Sequence, residues 1–140
     1  GYPLDQNAYQ CPKGMSAAEA TVNDGGVIIM LATCQDGHGG ESYYHSIADA
    51  ESADAFFQQC LHTPQVETLP DQWCAQIWCR IVRKYKVLFV ADKAQEQLIR
   101  DLKVEYFETL DEAYARAREL KGPDATLTCI PNGVSVVVKD

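Results

Sequence analysis

Val27-Ile28-Ile29-Met30-Leu31-Ala32, followed closely by Asp36-Gly37-His38-Gly39-Gly40-Glu41, is the stretch that decides the fold. A run that is apolar at every position and opens on β-branched residues predicts a strand covered on both faces. Such a strand belongs in the middle of a parallel sheet. The glycine-rich stretch after it then lies at the strand's C-terminal end, where α/β sheets hold their ligands. The order of the flanking elements tests this reading.

Downstream, Ser42 to Ala50 and Ser52 to Leu61 predict helices, stopped by Thr63-Pro64. Pro70-Asp71 opens the clearest helix. Trp73, Ile77, Ile81 and Cys74, Trp78, Val82 make two adjacent rows at helical spacing, and Arg80, Arg83 and Lys84 sit where the helix dipole favours cations. Lys86 to Val90 predicts a second buried strand, Lys93 to Asp101 a helix and Val104 to Phe107 a short strand. Thr109-Leu110-Asp111-Glu112 is a capping box for a helix that ends at Lys121-Gly122-Pro123. Ala125 to Ile130 and Val134 to Val138, around Pro131-Asn132-Gly133, read as closing strands.

Upstream, Ser16-Ala17-Ala18-Glu19 reads as a capping box whose short helix stops at Gly25-Gly26. Asp5 reads as the cap of a helical turn through Tyr9 and Gln10, which Pro12 ends or kinks. Strand and helix alternate with no repeat and no linker. The expected fold is α/β, layered, with a mostly parallel central sheet flanked by helices, in a single domain over residues 1–140.

Composition bounds the function. Of 140 residues, 46% are apolar and 23% charged, which excludes disorder, collagen and coiled coil. The longest apolar run has six residues, far short of the ~20 that a membrane helix needs. A net charge of −8 is the wrong field for gripping a phosphate backbone, so neither nucleic acid nor membrane is an expected partner. The six cysteines lack C-x-x-C spacing, and Cys74 and Cys79 point about 140° apart on a helix. They read as reduced, mostly buried thiols of a cytoplasmic protein. The first residue, Gly1 rather than Met, suggests a piece of something longer.

Three groups of residues carry candidate chemistry. Asp36, His38 and Glu41 on the glycine-rich loop offer backbone freedom beside polar side chains. They suit an anion or a proton transfer, or else a plain tight connection. Tyr9, Gln10 and Lys13 fall on neighbouring positions of a helical turn. Phenol, amide and ammonium together suit a small carboxylate, although an ordinary polar surface turn has the same spacing. Trp73, two residues into its helix, offers either a core anchor or a surface for a planar ligand. His45 and His62 read as solvated or core histidines. No nucleophilic triad and no paired-carboxylate cluster stands out.

These residues also carry a resemblance. Gly1-Tyr2-Pro3-Leu4-Asp5-Gln6-Asn7, Tyr9-Gln10, Lys13-Gly14-Met15 and Ala17-Ala18-Glu19-Ala20 resemble the start of the C-terminal domain of the nickel-dependent lactate racemase family. Gly25-Gly26-Val27-Ile28-Ile29, Asp36 to Glu41, Asp71-Gln72-Trp73 and Ala75-Gln76-Ile77 continue the match in order, over residues 1 to about 90.

The resemblance implies a two-domain racemase or epimerase that uses a nickel-pincer nucleotide. Hydride leaves C2 of a 2-hydroxy acid, giving a 2-oxo acid, and returns to either face. It implies that the acid and base histidines, the nickel-bound histidine and the cofactor-bearing lysine belong to an N-terminal domain, the expected partner. On the same resemblance this domain supplies no catalytic residue and no metal ligand, and alone would bind no cofactor and be inactive. By motif position, Gln10 and Lys13 hold the substrate carboxylate, Tyr9 lines the pocket and Trp73 lies near the cofactor. Pro12 departs from the helical pattern and is expected to alter the relative aim of Gln10 and Lys13. The other reading of the residues is a stand-alone α/β module binding an anionic small molecule or a protein.

Overall fold

The computed structural model describes residues 1–139. In chain order the elements are α1 (Cys11–Glu19), β1 (Val27–Leu31), α2 (Glu41–Ala48), α3 (Ala53–His62), α4 (Gln72–Lys84), β2 (Lys86–Val90), α5 (Glu96–Asp101), β3 (Glu105–Phe107) and α6 (Leu110–Lys121). Single 3-10 turns at Ala8–Gln10, Gln65–Glu67 and Lys93–Gln95 join them. The three strands form one parallel sheet in the order β1-β2-β3, so the fold is α/β and layered.

The run that predicted the sheet is not its centre. β2 is central, with Val87, Leu88 and Phe89 all buried, whereas β1 is an edge strand in which Ile28 alone is buried and Leu31 is half exposed. Val-Ile-Ile-Met-Leu and Val-Leu-Phe-Val are equally apolar. Apolarity marks a strand that is covered, and does not rank strands by place in the sheet. α6 lies against all three strands, while α4 packs on β2 and on α1, α2 and α3.

α4 anchors the core through Cys74, Ala75, Trp78, Cys79 and Ile81. Trp78 is wholly buried, donates its indole N–H to the Leu102 carbonyl at 2.8 Å and meets the Tyr43 ring edge-on. Of the two expected rows, Cys74, Trp78 and Ile81 are buried, Ile77 and Val82 pack against the core, and Trp73 alone falls outside. The predicted cap of α6 is formed, and α3 carries one as well. Ser52 accepts from the Ala55 N–H, and Thr109 with Glu112 makes the reciprocal capping box.

Three expectations are corrected. First, α1 begins at Cys11, so Ser16 sits inside it and donates its hydroxyl to the Pro12 carbonyl at 2.8 Å. Pro12 occupies the first turn, where its missing N–H leaves no bond unmade, and the 3-10 turn ahead of it ends at Gln10. The helix ends at Glu19, ahead of Gly25-Gly26. Second, Asn7 rather than Asp5 precedes the 3-10 turn, and Asp5 instead ties down the chain after β1 through its carbonyl.

Third, no strand forms from 125 to 139 among the described residues. The turn at Pro131-Asn132-Gly133 exists, but Leu127 and Val137 point into solvent, 63% and 80% exposed. An alternating pattern becomes a strand only where an edge accepts it. All six cysteines are free thiols, four of them buried, and burial pushes Cys79 up to about 12. Among the described residues, no helix is long and apolar enough to cross a membrane.

Candidate active-site corner

Two irregular segments meet beyond the C-terminal end of β1. The Cys34 and Asp36 N–H groups donate to the Asp5 and Gln6 carbonyls, and the Ala8 and Tyr9 N–H groups donate to the Gly37 and His38 carbonyls, at 2.8 to 3.1 Å. This is a backbone ladder without a strand. It demands glycine at one point in particular. Gly39 has φ +76, and a Cβ there would lie 2.4 Å from Asn7 Cγ.

The ladder delivers Tyr9 at the mouth of α1. Its ring meets Tyr43 edge-on at 5.5 Å and Trp73 edge-on at 6.2 Å. Its hydroxyl donates to Asp71 Oδ1 at 3.0 Å. Burial, then that hydrogen bond, pushes the phenol up to about 12, so it stays protonated at neutral pH. One turn further on, Lys13 Nζ donates to Gln10 Oε1 at 2.5 Å. Lys13 is exposed, and its charge is felt in the neighbouring α4. There the Cys74 thiol, pushed up to about 12 by burial and by Asp71, is pulled back by Lys13.

Tyr9, Gln10, Lys13 and Trp73 therefore share one corner. Trp73 is 52% exposed, which settles it as a surface residue rather than a core anchor. The glycine-loop side chains are placed differently. Asp36 is exposed and contributes only its backbone. His38 Nδ1 accepts from the Gly40 N–H at 3.1 Å, which puts the proton of the neutral ring on Nε2, and the ring stacks on Tyr44 at 5.0 Å. Glu41 is exposed and lies 3.6 Å from His38 and 3.4 Å from His45.

A cavity of about 1180 Å³ runs along β1 toward residues 125–134 and meets the corner at Asp5 and Gln10. Asp71, the partner of Tyr9, is the residue that sequence reasoning missed. An aspartate ahead of a helix reads as a cap, and its turn toward Tyr9 follows from a left-handed backbone, φ 60, that no spacing reveals.

The comparisons agree with this architecture. The family described as the lactate racemase C-terminal domain matches residues 1–138. A lactate racemase of Lactiplantibacillus plantarum is 50% identical over 139 residues, which is 99% of this chain and 33% of that protein. The lactate racemase of Thermoanaerobacterium thermosaccharolyticum is 43% identical over 140 residues, all of this chain and 33% of that protein. The solved structure of the lactate racemase apoprotein from the latter organism superposes with a TM-score of 0.96 over 100% of this chain and 34% of that one. The chain thus spans about a third of the length of these relatives. It belongs to the lactate racemase C-terminal domain family.

Proposed function

We propose that this domain is the substrate-holding wall of a nickel-pincer-dependent 2-hydroxyacid racemase or epimerase, facing an N-terminal domain of the same protein. The observation that carries the reading is the Lys13–Gln10 contact. The ammonium has engaged Gln10 Oε1, so the carboxamide offers its N–H donors to a ligand beside a cation that keeps further N–H groups. Donors and charge at one point suit a carboxylate. A carboxylate held there stays fixed while C2 changes hand, which serves both enantiomers equally. With Pro12 in the first turn, the Lys13 ammonium still reaches Gln10 Oε1.

The fit to the cofactor is that of a wall. Trp73 offers a half-exposed indole to a planar ring. Among the described residues no group of three or more His, Cys, Asp or Glu side chains is arranged to hold a metal ion. Nickel ligation and the acid and base histidines belong, on the family resemblance, to the N-terminal domain. When bound, the nickel-pincer nucleotide supplies the hydride acceptor, and this domain alone is inactive. The −8 net charge repels an anionic substrate at long range, which leaves its capture to local cations such as Lys13.

The test is racemization of a panel of 2-hydroxy acids by the whole, cofactor-loaded protein and its Lys13→Ala variant. Loss of a charge-assisted hydrogen bond, on the order of 1.5–3 kcal/mol, lowers kcat/KM by roughly ten- to 150-fold. Unchanged kinetics would remove Lys13 from the site and with it this reading.

A further inference from the structure

Asp71 holds an unusual position. It precedes α4, where an aspartate ordinarily accepts N–H bonds from the helix start through its carboxylate. Here the backbone carbonyl of Asp71 accepts from Cys74 and Ala75 at 2.9 and 3.3 Å, and the carboxylate turns away to accept from Tyr9. The turn rests on a left-handed residue, φ 60, and is pinned by the Ser42 hydroxyl on the Pro70 carbonyl. Gly40 abuts the same pair; a Cβ there would sit 3.5 Å from the Tyr9 ring and 3.6 Å from Asp71 Oδ2. Tyr43 and Trp73 hold the ring from two other directions.

A phenol carries one proton. Once that proton is committed to the hydrogen bond with Asp71, the phenol oxygen presents only lone pairs to anything else. Lone pairs repel a carboxylate, which also brings only acceptors. We propose that Asp71 is a positioning residue that makes Tyr9 acceptor-only, so that a substrate carboxylate cannot settle on Tyr9 and is confined to the donors of Gln10 and Lys13. This rests on the substrate-wall reading above and adds how that wall fixes the register of a one-carboxylate substrate. Losing Asp71 frees the Tyr9 proton for the substrate carboxylate and removes a nearby negative charge. Both effects favour binding, but in the wrong place.

The experiment uses the whole, cofactor-loaded protein with lactate as substrate. Asp71→Gly is the informative variant, because glycine adopts φ 60 without strain. It is expected to lower kcat roughly tenfold, the scale of one misdirected hydrogen bond, without raising KM. Adding Tyr9→Phe to Asp71→Gly removes the misplaced donor and recovers kcat severalfold. Asp71→Asn keeps an acceptor oxygen and stays nearer the parent kcat.

An independent readout is the carbon-13 resonance of the ring carbon bearing the Tyr9 hydroxyl. It shifts in Asp71→Gly and much less in Asp71→Asn. A rise in KM in step with the fall in kcat, no recovery in the double variant, or an unmoved resonance would each overturn the proposal. If these occur while Lys13→Ala still weakens catalysis, the substrate wall stands without this positioning role. If Lys13→Ala is silent, the wall itself fails and takes the proposal with it.

Discussion

The corner built from residues 5–10, 34–41 and 69–73 and the segment 122–139 are both largely irregular, yet they are held in opposite ways. The corner is crossed by four backbone hydrogen bonds between segments almost thirty residues apart, then closed by Tyr9–Asp71, Cys74 Sγ on the Tyr9 carbonyl and Ser42 on Pro70. The distal segment has Arg118 on the Ala125 carbonyl, one turn bond from Ser135 to Asn132, and the approach of Gly133 to Gly14. Irregular backbone becomes a defined scaffold when its polar groups are paired over long sequence separations. Absence of helix and strand says nothing by itself about fixity.

The largest effect that would break the contrast is at Gly39. Alanine there meets a left-handed φ and a Cβ position 2.4 to 2.8 Å from three Asn7 atoms. Asn7 is short and lies inside the ladder, so it cannot swing clear. Gly39→Ala should destabilise the protein by about 2–3 kcal/mol, read by chemical denaturation. A cost below about 0.5 kcal/mol, the range of an ordinary surface change, would show that the corner is not the tight structure described.

A smaller, pH-dependent effect tests the Tyr9–Asp71 bond itself. The Tyr9 pKa is raised from 10.0 to about 12 in the fold, so its contribution to stability is fully present below pH 10. Above pH 10 the unfolded chain releases the proton while the native state still holds it, and the contribution is lost toward pH 12. Tyr44, hydrogen-bonded to Asp101, is raised over the same window, and the buried Cys74 and Cys79 thiols, raised from 9.0 to about 12, add to the fall, so each tyrosine accounts for only a share of it. Tyr9→Phe should flatten part of that fall and Tyr44→Phe another part, followed by denaturation midpoints across pH 9 to 12. A Tyr9→Phe protein with an unchanged slope would mean that the Asp71 bond contributes nothing to folding.

How much of this was legible differs between the two regions for physical reasons. The corner's residue types were legible, because Tyr9, Gln10, Lys13 and Trp73 carry chemistry in their names. Their junction was not, since it depends on backbone bonds to Gly37 and His38 and on the φ of Asp71. Pro12 was misjudged because a residue barred from a helix interior is welcome in its first turn, and spacing does not say which turn is first. Ser16 and Glu19 show the same ambiguity. The capping-box pattern is present, but the helix had already begun.

At Thr109 and Glu112 the identical pattern was decisive, as nothing upstream competed to open the helix. The distal segment failed for another reason. Its alternation from Ala125 to Val138 is strand-like, but pairing is a property of two chains, and the sequence of one names no partner. The parallel case is β1, whose apolarity marked a strand but not its place at the edge.

The smallest effect sharpens the contrast most. Gly133 resembles Gly39 in crowding, since a Cβ on it would lie 2.9 Å from Gly14 Cα and 3.2 Å from the Gly14 carbonyl oxygen, atoms of a helix that cannot yield. Local crowding alone would make Gly133→Ala as costly as Gly39→Ala. Gly133, however, has no positive φ, and its turn is tied by the single Ser135–Asn132 bond, so the turn can lift by a few tenths of an ångström without breaking a ladder. The expected cost is below about 1 kcal/mol in the same denaturation assay. A cost equal to that at Gly39 would mean that the distal turn is a fixed buttress of α1, and the distinction between the two regions would fall. A small cost would locate rigidity in the hydrogen-bonded ladder rather than in close packing, and the ladder is what aims Tyr9.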